Sequence, residues 1–380
     1  MKILHTVSSL GAKSGGPSQS IYATVSGLNR LGIGADILTL DVRDSTKDHL
    51  TGTDDFIKVQ PRDEFSPLAI SANMRGYLNR HLEYDIYQTH GLWMDINHAT
   101  CTFARKLGKP YIITPRGMLY PEALARSSWK KKVMLALGHK KDIALASCIH
   151  ATCKQEMEHY RALGFTNPVA VIPNPVGIPD FIASIQRPND RFRIGFLGRI
   201  HPRKHVHDLI TAWSRIGERA KDGELLIIGQ GDESYMQQLH TQVGRAGLTN
   251  VRFAGFLSGK AKYEALASLT ALFVPSDFEN FGMIIPEALI VGTPVMASLG
   301  TPWEELNTHR CGWWRDNSVE SLCECIKMAH SMSTDEQNAM GIRGRELIIS
   351  SYSSEKVAQM IADLYGWLLG KNDKPDFVYV

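Results

Sequence analysis

Short apolar runs alternate with stretches of helical period along the whole chain. Lys2–Val7 is a brief apolar run that ends in Ser8-Ser9-Leu10-Gly11. Ser14-Gly15-Gly16-Pro17-Ser18 follows, and then Ile21, Val25, Leu28 and Leu31 recur at helix spacing before Gly32 stops them. Ala35–Leu40 is the next apolar run, so the chain opens with strand, Gly-rich loop, helix and strand. The alternation predicts a helix over Leu68–Leu82 entered through Ser66-Pro67, strand Ile86–Thr89, helix Ile96–Leu107 and strand Tyr111–Thr114. A basic helix over Trp129–Leu137, strand Cys148–Ala151, helix Lys154–Leu163 and strand Val169–Ile172 complete the first series.

Pro173-Asn174-Pro175-Val176-Gly177-Ile178-Pro179 then breaks the pattern, as an interdomain connection does. The alternation restarts with strand Arg193–Leu197, helix Val206–Ile216, strand Glu224–Ile228, helix Ser234–Ala246 and strand Val251–Phe253. Helix Lys260–Ser268, strand Leu272–Val274, helix Ile284–Ile290 and strand Val295–Ala297 follow, and the chain closes in helices over Val319–His330, Thr334–Ile349 and Ser354–Leu369. Wholly apolar short strands separated by helices mark buried parallel sheets. The expected fold is α/β, with two doubly wound domains facing each other across a cleft, residues 1–175 and 190–353.

Composition adds exclusions. Hydrophobic residues at 43% and charged residues at 21% are those of a globular protein, and a net charge of +3 does not select nucleic acid as a partner. The six cysteines are scattered, as buried thiols of a reducing cytosol would be. Cys148, His150 and Cys153 lack a second ligand pair nearby, so no metal site is expected. Met1–Val7 is too short and polar for a leader, and no apolar run approaches the roughly 18 residues of a membrane span, so a cytoplasmic protein is expected.

Four loops at strand carboxyl ends, where open α/β sheets bind ligands, carry candidate chemistry. Gly15 and Gly16 precede a helix whose N-terminus suits an anion, although no G-x-G-x-x-G follows the first strand. Gly198-Arg199-Ile200-His201-Pro202-Arg203-Lys204 places two cations, Arg199 and Lys204, where they can neutralise a departing diphosphate. Asp277-Phe278-Glu279-Asn280-Phe281-Gly282-Met283-Ile284-Ile285-Pro286-Glu287 puts Glu279 in a loop and Glu287 in the first turns of a helix. His90-Gly91 and Pro115-Arg116-Gly117-Met118 close the facing edge of the first domain.

Gly198-Arg199…Lys204 followed by Glu279-Asn280-Phe281-Gly282…Glu287 resembles the retaining glycosyltransferases of family 4, with their two-Rossmann-domain GT-B architecture. The resemblance covers nearly the whole chain, with Pro173-Asn174-Pro175 standing where Pro-Asn-Gly is commoner. His90-Gly91-Leu92-Trp93, Pro115-Arg116-Gly117-Met118-Leu119 and Gly300-Thr301-Pro302-Trp303-Glu304-Glu305-Leu306 are similar to the bacterial branch that builds exopolysaccharide, capsule or O-antigen. The resemblance implies that Arg199 and Lys204 hold the donor diphosphate, Glu279 the transferred sugar and Glu287 the ribose. It implies donor contacts for Asn280 and for the N–H groups of Phe281, Gly282, Met283 and Ile284. His90 would face the sugar from the first domain, Gly15 and Gly16 the phosphate, and Trp93, Arg116 and Met118 the acceptor side. The loops Gly229-Gln230-Gly231 and Phe253-Ala254-Gly255-Phe256 would flank the base. It also implies that the last helix, about 354–372, crosses back to the first domain and that the Pro-rich junction is a hinge.

Cleaving an anomeric carbon–diphosphate bond builds negative charge on the phosphate, so charge stabilisation is the main need. No D-x-D sequence occurs, so no metal or other cofactor is expected and Arg and Lys must supply the charge. In the family picture a donor phosphate oxygen takes the acceptor proton, so the two glutamates are not a glycosidase pair. Arg126, Lys130, Lys131, Lys132, Lys140 and Lys141 lie without an acid beside Trp129, Val133, Met134 and Leu137. A solvated basic face and a face docked on anionic lipid both account for that pattern. The lipid-linked acceptor that the resemblance implies favours peripheral contact at the cytoplasmic face of the membrane. The expected donor is a UDP- or GDP-sugar. A nucleotide-sugar epimerase of the same architecture and a non-catalytic nucleotide-sugar-binding protein are the alternatives.

Overall fold

The computed structural model describes residues 1–11, 16–40, 54–62, 68–188, 191–217 and 221–380. Two compact units emerge, Met1–Gly177 together with Ser354–Val380, and Ile178–Ser353.

The first unit is built on strands β1 (Lys2–Val7), β2 (Gly34–Leu40), β3 (Ile57–Gln60), β4 (Ile86–His90), β5 (Tyr111–Thr114), β6 (Cys148–Ala151) and β7 (Val169–Val171). Their order is β7-β6-β5-β4-β1-β2-β3, all parallel, and Val378–Tyr379 adds an antiparallel edge beside β7. β1, β4, β5 and β6 are almost wholly buried, so their sequences do not alternate, and polar residues within them (His5, Gln88, His90 and His150) are buried too. The helix Gly16–Arg30 packs Ile21, Val25 and Leu28 into the same core as Val357, Ile361, Leu364 and Tyr365 of the helix Ser354–Leu368. A Cβ on Gly27 would stand 2.8 Å from that of Ala358, so the absent side chain lets the two helices close on each other.

The second unit carries β8 (Arg193–Leu197), β9 (Glu224–Ile228), β10 (Val251–Gly255), β11 (Ala271–Val274), β12 (Val295–Ser298) and β13 (Gly312–Arg315). All run parallel in the order β10-β9-β8-β11-β12-β13. Each sheet therefore reverses its winding once, between β1 and β4 and between β8 and β11. The crevice outside the carboxyl ends at such a switch is where doubly wound sheets take their ligands.

Three strands lie outside the sequence expectation. β3 reads Ile-Lys-Val-Gln at a sheet edge and buries none of its residues, so it lacks the apolar run. β13 reads Gly-Trp-Trp-Arg and is likewise an edge, and Val378–Tyr379 is two residues long. The predicted helix Trp129–Leu137 is also corrected. It runs as Ser128–Met134, opens into a wide π-type turn over Leu135–His139 that breaks at Gly138 (φ 131°), and resumes as Lys140–Ala144. A Cβ at Gly138 would meet the His98 ring at 2.6 Å, so packing against His98 sets the break. The helix expected over Leu68–Leu82 is Ala72–Arg80, capped by Ser71, and the expected Ser66-Pro67 entry lies outside the described residues. The boundary between the units falls after Gly177, within the expected connection Pro173–Pro179, and the turn Asp180–Ser184 belongs to the second unit.

Candidate functional site

The loops after β8 and β11 meet at the switch point of the second sheet. Asp277 N donates to Arg203 O (2.9 Å), so the two loops share a main-chain hydrogen bond. Lys204 donates to Glu279 Oε1, which also accepts from Ser276 Oγ (2.9 Å), while Glu279 N donates to Gly300 O (2.9 Å). Their side chains are 24% and 19% exposed, so the pair is half-sheltered yet open to a solute. His205 sits between the loops and donates to Asp208 (2.6 Å) and to Asp277. Arg199 behaves differently: its side chain is exposed, and among the described residues it has no ion pair. Lys204 and Glu279 are thus brought together, while Arg199 and Arg203 of the same loop have no ion pair among the described residues.

Behind Glu279 the chain turns at Gly282, whose φ of 75° suits glycine. The helix Ile284–Ile290 starts there; Ile285 N donates back to Gly282 O (2.8 Å) and Pro286 has no N–H. Phe281 packs on Trp303 (5.3 Å between ring centres), and Trp303 stacks on Tyr352 (5.1 Å) and donates to Phe281 O. Trp303 is fully buried, so this aromatic stack fixes the turn from below. Glu287 is 8% exposed and pairs with Lys262 at 2.7 Å. Lys262, on the helix Gly259–Ala267, is a site residue that sequence reasoning missed, because nothing in its local pattern marks it. The Gly229-Gln230-Gly231 loop adjoins the basic loop through Ile200 N donating to Gln230 O (2.8 Å).

In the first unit, His90 ends β4 and is 4% exposed. Arg116 can only donate, so its contact with His90 Nδ1 (3.2 Å) makes that nitrogen the acceptor. His90 Nε2 then donates to His5 Nδ1 (2.9 Å), His5 Nε2 to Tyr365 Oη (3.1 Å), and Tyr365 to Gln88 Oε1. Gln88 donates to Thr114 Oγ1 (2.9 Å) and His150 Nδ1 (3.2 Å), and His150 Nε2 donates to Ile172 O (2.8 Å). Both ring nitrogens of His90 are therefore used inside the unit. His90 was expected to face the sugar; here one of its ring nitrogens holds Arg116 and the other His5. Burial first, then the Arg116 charge, pushes His90 well below the ordinary histidine range. Burial likewise takes His5 to about 3 and His150 to about 4, so all three rings are neutral.

Arg116 sits at a left-handed φ of 54° and also donates to Ser20 Oγ (2.8 Å) and Asn174 Oδ1 (3.2 Å). Burial lowers it to about 10, opposed by the charge of Glu156. Met118 lies beside it with Sδ accepting from Leu92 N (3.1 Å). Trp93 is half-buried at φ 75°, and its Nε1 has no hydrogen-bond partner among the described residues. Gly16 begins the helix Gly16–Arg30, and Gly15 lies outside the described residues.

Two family models match the chain. The glycosyl transferase 4-like domain covers residues 15–175, and the glycosyl transferases group 1 model covers 178–347. The chain belongs to glycosyltransferase family 4. This glycosyltransferase is 37% identical over 134 residues to a phosphatidyl-myo-inositol mannosyltransferase of Mycobacterium leprae, covering 33% of this chain and 34% of the relative. It is 29% identical over 165 residues to a GDP-mannose-dependent alpha-mannosyltransferase of Mycolicibacterium smegmatis, covering 43% of this chain and 40% of the relative. The alignment thus spans well under two thirds of these relatives. Anabaena HepE in complex with UDP and glucose superposes with a TM-score of 0.71 at 19% identity, over 97% of this chain and 100% of that one. Sucrose-phosphate synthase from Thermosynechococcus elongatus superposes with a TM-score of 0.76 at 18% identity, over the same shares. The fold is accordingly that of the GT-B glycosyltransferases: two Rossmann-like parallel-sheet units.

Proposed function

We propose that this glycosyltransferase moves a hexosyl group, with retention and without a metal in the transfer step, from a UDP- or GDP-sugar to a lipid-linked saccharide acceptor. The product is a growing cell-surface polysaccharide at the cytoplasmic face of a membrane. One observation carries the reading: Lys204 and Glu279, paired at the switch point of the second sheet, with Arg199 uncompensated on the same loop. Arg199 and Lys204 take the diphosphate, where leaving-group charge grows. Asn280 and the N–H groups of Phe281, Gly282, Met283 and Ile284 assist at the sugar and phosphate. Glu279 holds a sugar hydroxyl, and Glu287, steadied by Lys262, holds the ribose. The acceptor proton passes to a donor phosphate oxygen, so no side chain acts as base. Trp93, Arg116 and Met118 serve the acceptor, with His90 positioning Arg116.

Donor chemistry is supported by the relative named as GDP-mannose-dependent and by the neighbour bound to UDP. Membrane contact is supported by Trp129, Val133 and Leu137, which are 67%, 48% and 68% exposed beside the exposed Lys130, Lys132, Lys140 and Lys141. No helix among the described residues is long and apolar enough to cross a membrane. The deciding experiment offers labelled UDP- and GDP-sugars with a lipid extract. Label in the lipid fraction is expected, whereas a free epimer, or donor binding without turnover, would replace the reading with one of its two alternatives.

A further inference from the structure

The start of the helix Val206–Arg215 carries a constellation for which the transfer reaction has no use. His205, His207 and Asp208 each offer one ligand atom, and these atoms lie within 4.8 Å of one another. His205 Nδ1 is 2.6 Å and His207 Nε2 is 3.4 Å from the same oxygen, Asp208 Oδ2. Ligands bound at about 2.1 Å to one ion stand about 3.0–3.4 Å apart, so these spacings bracket those of a coordination sphere. The side chains are 22%, 40% and 26% exposed, which leaves a path for an ion from solvent.

His205 Nε2 donates to the carboxylate of Asp277, and His207 Nδ1 is bonded to Tyr235 Oη at 2.8 Å. The two rings stack with 5.4 Å between centres and 27° between planes. One nitrogen of each imidazole is thus tethered and the other is turned toward Asp208. Metal-binding histidines are held in this way, with the distal nitrogen anchored to a carboxylate or another polar group. The backbone agrees: His205 sits at φ 51° and ψ 34°, a left-handed position that strains a non-glycine residue. That position places its ring between Asp208 and Asp277.

We propose that His205, His207 and Asp208 form a site for one divalent transition-metal ion of the zinc class, with its remaining positions open to water. Two imidazoles and a carboxylate favour zinc, cobalt or nickel over magnesium or calcium. The ion displaces the proton that His205 Nδ1 donates to Asp208, so the carboxylates of Asp208 and Asp277 balance its charge. The positive end of the helix and the adjacent Lys204 act against a cation. With three protein ligands as well, the site is weaker than a closed four-ligand one. It requires neither donor nor acceptor, so it stands or falls apart from the transfer reaction.

The test titrates the full-length protein, stripped with chelator and desalted, with Co²⁺ and follows the visible absorption of the bound ion. Saturation at one equivalent, bleaching by Zn²⁺ and no competition from Mg²⁺ are expected. His207→Gln and Asp208→Asn should each weaken the Co²⁺ affinity at least tenfold, with melting curves confirming that the variants are folded. His207→Gln carries the test if Asp208→Asn unfolds the helix start. Absence of a saturable signal, or wild-type affinity in His207→Gln, would overturn the site.

Discussion

Lys204 and Glu279, 75 positions apart in sequence, neutralise each other at the junction of the loops after β8 and β11. Each is the other's partner in the free protein, and each is assigned a different part of the donor. Glu279→Gln is expected to lower transfer by about two orders of magnitude or more, as removing one transition-state contact does. Nucleoside diphosphate affinity should hold or rise, because Lys204 loses its internal partner. Lys204→Ala should instead weaken that affinity. Calorimetric titration with UDP and GDP, set against single-turnover transfer, separates the two effects. Loss of diphosphate binding in Glu279→Gln would refute the division of roles.

Glu287 and Lys262 are 11% and 16% exposed at their side chains, so breaking the pair leaves a mostly buried carboxylate alone. Lys262→Met is expected to destabilise the second unit by about 1–2 kcal/mol, less than a fully buried pair would cost because some solvent remains. Urea unfolding followed by tryptophan fluorescence measures this. The same variant should lower affinity for a nucleoside diphosphate more than for inorganic pyrophosphate, since Glu287 is assigned to the ribose.

The buried histidines give the first unit a pH dependence of fixed sign. His150 is depressed to about 4 and His5 to about 3, while in an unfolded chain each titrates near its ordinary value of 6.5. Between those values the unfolded state binds the extra protons, so stability falls as pH drops. The stabilisation is fully present above pH ~6.5 and lost progressively toward pH ~4, by about 2–3 kcal/mol for each buried ring. Melting temperatures from pH 7.5 to 4 should show this decline. His150→Gln should flatten part of it, and an unchanged slope in that variant would remove His150 from the account.

Trp129 and Leu137 touch little of the protein, so their replacement should leave the fold intact. Trp129→Glu together with Leu137→Glu is expected to abolish sedimentation with vesicles rich in anionic lipid and to leave the melting curve unchanged. Basic residues near such a surface contribute about 1 kcal/mol each, so binding should also weaken steeply with added salt. Equal binding to neutral vesicles would point away from the lysines.

Strands that are short, apolar and buried on both faces announce themselves. β5, β6, β8 and β9 fall where the pattern put them, because burial on both sides of a sheet leaves an uninterrupted apolar run. Edges do not announce themselves: β3 and β13 each leave one flank unpaired, the Ile-Lys-Val-Gln alternation of β3 lasts only four residues, and Gly-Trp-Trp-Arg in β13 carries no period. The positions of Arg199, Lys204 and Glu279 in loops and of Glu287 in the first turns of a helix were legible because each lies next to a readable strand or helix boundary.

Partnership was not legible. Local pattern marks elements but does not order them, and the pairing of Lys204 with Glu279 follows from β8 and β11 being neighbours in a sheet that reverses its winding there. Tyr365 reaches His5 across 360 positions only because the last helix packs on the first unit, and that contact decides which nitrogens of His5 and His90 are occupied. The alternation of elements and the chemistry of each loop belong to the sequence by itself, since period and side-chain type are local. Which charges meet, and that His90 lies between Arg116 and His5, are decided by tertiary structure, since strand order and helix packing bring together residues that no short-range pattern connects.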